Sequence, residues 1–283
     1  MNASIGFSFL APAKLNISLK VFGRRPDGFH HIRTVMVPVS LYDEVTVEAA
    51  DSGIRVSTDD PSVPGGSSNI CHRAASLFME WAGEPAGVDI RVRKGIPAEA
   101  GLGGGSSDAA AVFKGMMALT GRVPPGELLL RMAGKAGADV PFFTWNAPAL
   151  AEGFGERLTP VEWRVSFFTL IVKPPFGLPT REGYERLRRE AGDPPENGEI
   201  PAFHKWEDVI PAVSNDFEEA WKDTRPEIEA IKEELSSAGA RAAGLSGSGS
   251  AVFGLFESAE AAHRARGMLS RDDGRRMYIA RNI

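Results

Sequence analysis

Apolar residues at Leu15, Ile17, Leu19 and Val21 alternate with other positions near the start of the chain, the period of a half-buried strand. GRRPDG, beginning at Gly23, then punctuates a turn, and residues 35–39 and 45–47 read as two further strands. The period changes after that. Asn69 stands where a helix cap belongs, and Ile70, Ala74, Leu77, Phe78 and Trp81 fall on one face of the helix it would open. A strand at 88–92 runs to Lys94, and a glycine-rich run leads into an alanine-rich helix ending near Leu119. Pro124 and Pro125 start another helix, which closes among the glycines at 134–137.

The second half reads as a new unit. A strand is expected at 167–172, a proline-stiffened loop in KPPFGLPT, and a helix at 181–190. A polar Pro/Gly-rich excursion covers 192–199, and helices are expected at 216–221 and 226–235. The latter turns Ile228, Ile231 and Leu235 inward, with Gly239 just past its end. GLSGSGS leads into an alternating strand at 251–256, then a helix at 259–269 and a closing strand at 277–280. No internal repeat is visible. The class is α+β with a break near 155–165, giving domains at 1–160 and 161–283, as the length of 283 residues also favours.

Composition narrows the function classes. With 43% hydrophobic and 24% charged residues the chain is an ordinary globular protein, and its formal charge of −5 argues against a nucleic-acid partner. The basic clusters Arg186, Arg188, Arg189 and Arg271, Arg275, Arg276 lie beside acidic residues and read as solvated helix faces. A small polyanionic substrate stays open, because a pocket needs only local positive charge. Cys71 is the only cysteine, so no intramolecular disulfide forms, and in a helix it reads as a small hydrophobe rather than a nucleophile. The N-terminus lacks the features of a secretory signal, and the apolar run at 165–172 is strand-length. The expectation is a cytoplasmic protein with no membrane partner.

The chemistry centres on IPAEAGLGGGSSDAAAVF, residues 96–113. Gly103, Gly104, Gly105, Ser106 and Ser107 can bring backbone N–H groups against an anion, and Asp108 with the alanines opens a helix. It is not a Walker loop, which needs a lysine before its hydroxyl residue, nor a dinucleotide fingerprint, whose last glycine would fall on Ser106. A flexible linker fits poorly between a strand and an amphipathic helix. Three further segments join it. Lys14 and Asn16 share one face of a strand opposite Leu15 and Ile17, with a surface lysine as the competing reading. Asp139 in GADVPFF sits among Ala138, Val140 and Pro141, with a helix cap or turn as the competing role. AAGLSGSGSAVF is a second small-residue loop, where a tight connection competes with a site.

PAKLN (12–16), GLGGGSSDAAA (101–111) and GLSGSGS (244–250) occur in the order of the three signatures of the GHMP kinase superfamily, which the chain resembles. GRRPDGFHHIRT (23–34), SLYDEV, GADVPFF, AEGFGERLTPV (151–161) and SNDFE (214–218) are similar to the branch that phosphorylates 4-diphosphocytidyl-2-C-methyl-D-erythritol in non-mevalonate isoprenoid precursor synthesis. The matches run from Pro12 to about Phe256. The resemblance implies transfer of the γ-phosphoryl of ATP to the tertiary 2-hydroxyl of that substrate. It implies an N-terminal domain like the second domain of ribosomal protein S5, a ferredoxin-like C-terminal domain, and an active site in the cleft between them.

The resemblance also assigns residues. Asn69 and Ile70 would flank adenine, Lys94 would lie near the nucleotide, and the phosphates would be wrapped by Pro97, Ala98, Glu99, Ala100, Gly101, Leu102, Gly103, Gly104, Gly105, Ser106 and Ser107. Asp139 matches the catalytic aspartate, a general base toward the acceptor hydroxyl. Lys14 matches the lysine that favours its ionised form, and Asn16 would fix the same hydroxyl or carboxylate. His30 matches the histidine that bonds cytosine. Phe29 stands where a tyrosine is usual, which keeps the ring and removes one hydroxyl. Tyr184 would close an aromatic sandwich from the other domain, Thr180 would touch the polyol or a phosphate, and Gly247 and Ser248 would contact substrate. Glu99 and Ala100 replace the small residues usual before GLGGG, so Glu99 is expected to face solvent or a cation.

Magnesium is expected with ATP, its protein ligands unassigned. His30 and His31 do not read as a metal site, because no carboxylate or cysteine completes a ligand spacing. The partners are ATP and a cytidine diphosphate-linked polyol, with monomer or homodimer left open. A homoserine- or mevalonate-type kinase is the alternative, and GRRPDGFHH speaks against it. A non-catalytic nucleotide-binding relative is the other, and Lys14 with Asp139 speaks against that.

Overall fold

The structure, a computed structural model, describes residues 6–26, 28–190, 198–269 and 273–283. Asp27, Arg271 and most of the 192–199 excursion lie outside them. The chain packs as two compact units, each made of separated stretches: Met1–Ala13, Tyr42–Ala98 and Gly103–Asn146 in the first, Lys14–Leu41, Glu99–Leu102 and Ala147–Ile283 in the second. Two long strands belong to both. β1 (Gly6–Arg24) passes to the second unit after Ala13, and β2 (His30–Ala50) passes back after Leu41. The strands expected at 35–39 and 45–47 are therefore one. Between them lies Asp43, which is 1% exposed within the strand.

In the first unit follow β3 (Gly53–Thr58), α1 (Ile70–Ala82), β4 (Gly87–Arg93), α2 (Gly104–Thr120), α3 (Gly126–Ala136) and α4 (Val140–Trp145). β4 lies between β2, antiparallel with Val47 opposite Ile90, and β3, parallel with Val56 opposite Ile90. Val45, Val47, Val88, Ile90 and Val92 are buried, as are Ala74 and Phe78 of α1 and Val112, Phe113 and Met116 of α2. The other face of the strands carries the ion pairs Arg55–Asp89, Arg91–Glu48 and Arg93–Glu44, exposed enough to contribute little. β3 escaped the periodic reading because its pattern, with Val56 alone buried, is too sparse to register.

In the second unit come β5 (Ala149–Gly153), β6 (Arg157–Pro160), β7 (Glu162–Trp163), β8 (Phe168–Lys173) and α5 (Thr180–Leu187). They are followed by β9 (Ala202–Phe203), α6 (Trp206–Val209), β10 (Ser214–Asn215), α7 (Phe217–Trp221) and α8 (Glu227–Ser237). The chain closes with β11 (Ala242–Leu245), β12 (Val252–Phe256), α9 (Ala259–Leu269) and β13 (Arg276–Arg281). β5 extends β2, pairing Ala151 with Thr34, and β10 pairs with β1 at Ser18. The separate sheet runs β11-β12-β8-β13, all antiparallel, with helices before β11 and after β12, the βαββαβ order of a ferredoxin-like unit. Every residue of β12 is buried, so the alternation expected there gives way to a strand covered on both faces. Ile228, Ile231 and Leu235 of α8 point into this core as expected, and Gly239 takes the left-handed conformation past its end, at φ 94°. Among the described residues no helix is long and apolar enough to cross a membrane.

Gly115 fixes how closely α2 approaches β2. A Cβ there would stand 2.5 Å from Cγ2 and 2.8 Å from Cβ of buried Val47. Gly115→Ala gains about 1 kcal/mol of helix propensity. It forces a repacking that costs about 1–3 kcal/mol. The substitution is expected to lower the urea midpoint with an unchanged m-value; a higher midpoint would show that α2 has room to move.

Candidate active site

β1 is buried at each position from Ala11 to Ile17, with Lys14 and Asn16 each 3% exposed. A charge in that setting needs fixed partners. The Lys14 ammonium donates to Asn16 Oδ1, Asn16 Nδ2 donates to Thr34 Oγ1 at 2.7 Å, and Thr34 Oγ1 donates to the Ser18 carbonyl at 2.6 Å. The surface-lysine reading falls. The Lys14 backbone N–H donates to the Leu102 carbonyl at 3.0 Å, which ties the strand to the start of the glycine loop.

The third motif meets both. Ser246 Oγ donates to the Gly101 carbonyl at 3.0 Å, and the Ala251 N–H donates to the Ala100 carbonyl at 3.0 Å. A side chain at Gly101 would strike the carbonyl of Ser246, and at φ 73° the position already favours glycine. Gly247 lies against the lysine, since a Cβ on it would stand 3.2 Å from Lys14 Nζ. The loop is buttressed from behind. Asn215 Nδ2 donates to the carbonyls of Leu245 (2.7 Å) and Gly247 (2.8 Å), Glu218 Oε1 accepts from the Leu245 N–H (2.9 Å), and Trp221 Nε1 donates to the Ser248 carbonyl (3.1 Å). Thr180 and Ser248 share a hydroxyl–hydroxyl bond of 2.7 Å. Lys14, Asn16, Gly101, Leu102 and Gly247 thus form one neighbourhood in the second unit.

Glu99 is exposed and adopts φ 51°, a left-handed conformation uncommon for a residue with a Cβ. Its carboxylate lies by Gly177 and acts on the buried ammonium of Lys173, which donates to the carbonyls of Pro174 (3.0 Å) and Phe176 (2.6 Å). Burial and Arg276 push the Lys173 pKa down while Glu99 opposes them. Glu99 therefore faces solvent and a cation, as its chemistry suggested.

Beyond Leu102 the loop belongs to the first unit. Gly103, at φ 74°, is the N-cap of α2, and no side chain caps that helix. The N–H groups of Gly104, Gly105 and Ser106 form a first turn without intrahelical acceptors, at the positive end of the helix dipole. That end fits an anion such as a phosphate. Ser107 is 1% exposed, and neither its hydroxyl nor Asp108 Oδ1 has a hydrogen-bond partner.

Lys94 does not reach open solvent. Its side chain is 6% exposed and its ammonium is bound by Asp43 and by Asp108 Oδ2, the latter at 2.8 Å. Asp43 Oδ1 also accepts the N–H groups of Gly95 (2.7 Å) and Ile96 (2.8 Å). Burial works against the Lys94 charge, but the two carboxylates outweigh it and its pKa is raised. Burial and then repulsion from Asp43 push Asp108 up to about 8, with Lys94 opposing. Asn69 caps α1 by accepting the Cys71 N–H at 2.8 Å, and its amide donates to the Pro64 carbonyl at 2.7 Å, so its side chain is spent on structure. Ile70 lies against Gly105 and Gly137. Asp139 occupies the N-cap position of α4, but its carboxylate makes no capping bond, so a cap does not explain this residue.

A cavity of about 620 Å³ opens in the second unit. Phe29, His30, Phe154, Thr180 and Tyr184 line it together with Arg24, Arg181, Arg188 and Arg189. His30 and Tyr184 stack on each other, centroids 4.6 Å apart and planes at 8°. Phe29 leans on Phe154 at 5.2 Å and is 56% exposed. Tyr184 meets Phe217 edge-on at 5.0 Å. Burial, then the charge of Arg24, lower the His30 pKa, which favours the neutral imidazole. The cavity thus combines flat rings, a neutral imidazole, several cations and the Glu185 carboxylate, which pairs with Arg181. The sequence reading assigned no role to Phe154, Arg24 or Asp43, and gave Asp108 only the opening of a helix, although AEGFGER, GRRPDG, SLYDEV and GGSSDAAA were all singled out.

The sequence pattern of the GHMP kinases N terminal domain matches residues 69–147, and that of the GHMP kinases C terminal domain matches 200–274. A 4-diphosphocytidyl-2-C-methyl-D-erythritol kinase of Geobacter sp. (strain M21) is 43% identical over 267 residues, 94% of this chain and 95% of that one. Its counterpart in Geobacter metallireducens is 44% identical over 258 residues, 90% and 91% of the two chains. A crystal structure of 4-(cytidine 5'-diphospho)-2C-methyl-D-erythritol kinase superposes with a TM-score of 0.80 at 37% identity, covering 98% of this chain and 99% of that one. Homoserine kinase from Cytophaga hutchinsonii shares the fold, with a TM-score of 0.76 at 18% identity over 97% and 94% of the chains. With both sequence patterns in place and relatives this similar along nearly its whole length, the chain belongs to the 4-diphosphocytidyl-2-C-methyl-D-erythritol kinase family of the GHMP kinases.

Proposed function

We propose that the protein transfers the γ-phosphoryl group of magnesium–ATP to the 2-hydroxyl of 4-diphosphocytidyl-2-C-methyl-D-erythritol, in non-mevalonate isoprenoid precursor synthesis. The observation that carries the choice of acceptor is the cavity lined by Phe29, His30, Tyr184 and arginines. A small alcohol such as homoserine or mevalonate has no flat base for those rings. We place the activity in the cytoplasm and assign the nucleotide loop to a domain at 1–160 and the third motif to one at 161–283.

Phosphoryl transfer asks chiefly for positioning and charge stabilisation. The N–H groups of Gly104, Gly105 and Ser106 take the phosphates, and Gly101 and Gly103 let the backbone come close. Ile70 supplies an apolar wall for adenine. Asn69 contributes there through its backbone, because its side chain caps α1. Asp139 accepts the proton of the acceptor hydroxyl as the new P–O bond forms, and the old bond from the γ-phosphorus breaks with its electron pair leaving on the β-phosphate oxygen of ADP. Lys14, held by Asn16, supplies positive charge to the transferring group. Magnesium enters with the triphosphate and neutralises part of its charge. Among the described residues no group of three His, Cys, Asp or Glu side chains is arranged to hold an ion independently.

His30, favoured as neutral, can donate from one ring nitrogen and accept at the other, which suits the edge of cytosine. The arginines around the cavity answer the acceptor's diphosphate. Thr180 and Ser248 bring hydroxyls to the polyol.

An ADP-release assay with magnesium–ATP and purified acceptors tests the assignment. Turnover is expected with the cytidyl substrate; turnover of homoserine or mevalonate alone would overturn it. Asp139→Asn is expected to lower kcat by about 10²–10⁴-fold with ATP affinity retained. Near-normal rates would remove Asp139 from the chemistry. Tyr184→Ala removes one aromatic contact of about 0.5–1.5 kcal/mol, so KM for the cytidyl acceptor is expected to rise up to about tenfold while KM for ATP holds. An equal rise in both would show that Tyr184 serves the fold instead.

A further inference from the structure

We infer that Asp43, Lys94 and Asp108 form a buried strut that positions the glycine loop for nucleotide and sets the charge behind it, acting through the backbone and through its net charge rather than by touching the phosphates. The inference rests on the functional reading above only in taking the nucleotide to be ATP. The three groups come from β2, from the residue after β4 and from the second turn of α2, and each side chain is 6% exposed or less. Lys94 binds both carboxylates, and Asp43 additionally accepts the N–H groups of Gly95 and Ile96, where the chain leaves β4 for the loop. Both ends of the segment 95–107 are thereby referred to one cation. Gly104 fits against the strut, since a Cβ on it would stand 3.3 Å from Asp43 Oδ2.

The charge count gives the device a consequence. Two carboxylates and one ammonium leave a net negative charge close to the helix end that is to receive a triphosphate. A proton on Asp108 removes it, and burial with repulsion from Asp43 favours that proton up to about pH 8. Lys94 stays charged throughout, its pKa being raised. From α1 the facing group is the Cys71 thiol, which burial and then Asp108 push well up, so it remains neutral. Above about pH 8 Asp108 ionises, and its charge opposes the incoming phosphates. Since its folded pKa lies above the ordinary carboxylate value, the fold also loses stability as pH rises from that range through about 8.

The test compares the wild type with Asp108→Asn, which keeps the shape and cannot ionise. In the wild type, KM for ATP is expected to rise up to about tenfold between pH 7 and pH 9, following the protonated fraction, while KM for the acceptor stays level. In Asp108→Asn the rise for ATP should vanish, and the fall in melting temperature as pH rises from the ordinary carboxylate range to about 8 should flatten. A variant that keeps the wild-type rise, or a wild type with no rise, overturns the proposal. Should the variant fail to fold, calorimetry of ATP binding to the wild type at pH 9 in buffers of different ionisation enthalpy decides. Uptake of close to one proton per nucleotide is expected, and none refutes the strut. A chain that binds no ATP at any pH would instead refute the functional reading, a separate outcome.

Discussion

An ammonium group taken out of water must be given partners, and this chain does so at Lys14, Lys94 and Lys173, each nearly excluded from solvent. Desolvating such a group costs about several kcal/mol, recovered only where hydrogen bonds hold it in one geometry. The partners differ, and so do the consequences. Lys14 leans on a side-chain amide, Lys94 on two carboxylates, and Lys173 on two backbone carbonyls. Each fixes the segment that carries it: the first motif, the entry to the glycine loop, and the KPPFG loop beside Glu99. The long cationic side chains are rigid parts here, because none of them has water to wander into.

Rigid supports matter because the groups proposed to meet phosphate are mostly backbone. A glycine loop has no side chains to hold it, so its position comes from what its carbonyls and N–H groups are tied to. On the second unit's side those ties are Lys14 N–H to Leu102, Ser246 Oγ to Gly101 and Ala251 N–H to Ala100. The GLSGSGS loop is held in turn by Asn215, Glu218 and Trp221. SNDFE is thus a bracket for the third motif. Glu99 is the exception to small residues in this region, and its left-handed backbone is maintained with its side chain directed away toward Gly177.

How much of this could be read from the chain depended on the range of the forces involved. α1, α2, α8 and α9 were legible because caps and a 3.6-residue period are local. β2 read as two strands, whereas Asp43, between them, is buried within one strand against Lys94, 51 positions away. β12 and the Lys14 strand lost their expected exposure for the same reason, since both faces are covered by elements distant in sequence. The three motifs were legible as segments that belong together, and hydrogen bonds tie PAKLN, the start of the glycine loop and GLSGSGS to one another. The cap that Asn69 places on α1 was legible as well, since it is local. That Lys94 is turned inward and that Phe154 backs Phe29 were not. Each depends on a neighbour that only folding supplies.

The aromatic pair bears on how an acceptor is chosen. His30 and Tyr184 are already stacked, and no planar base fits between rings whose centroids are 4.6 Å apart. A base that enters as a sandwich must part them, giving up a contact of about 0.5–1.5 kcal/mol. On the proposed function cytosine would replace that contact with stacking on Tyr184 and with hydrogen bonds from its edge to the neutral His30 imidazole. A short polyol without a base replaces neither and leaves the rings closed. Discrimination on this reading lies as much in the contact that must be broken as in those that are made. On the proposed function a phenylalanine at position 29 keeps the ring that stacking needs. Phe29 already leans on Phe154 at the rim of the cavity, and its ring alone can extend the stacking surface.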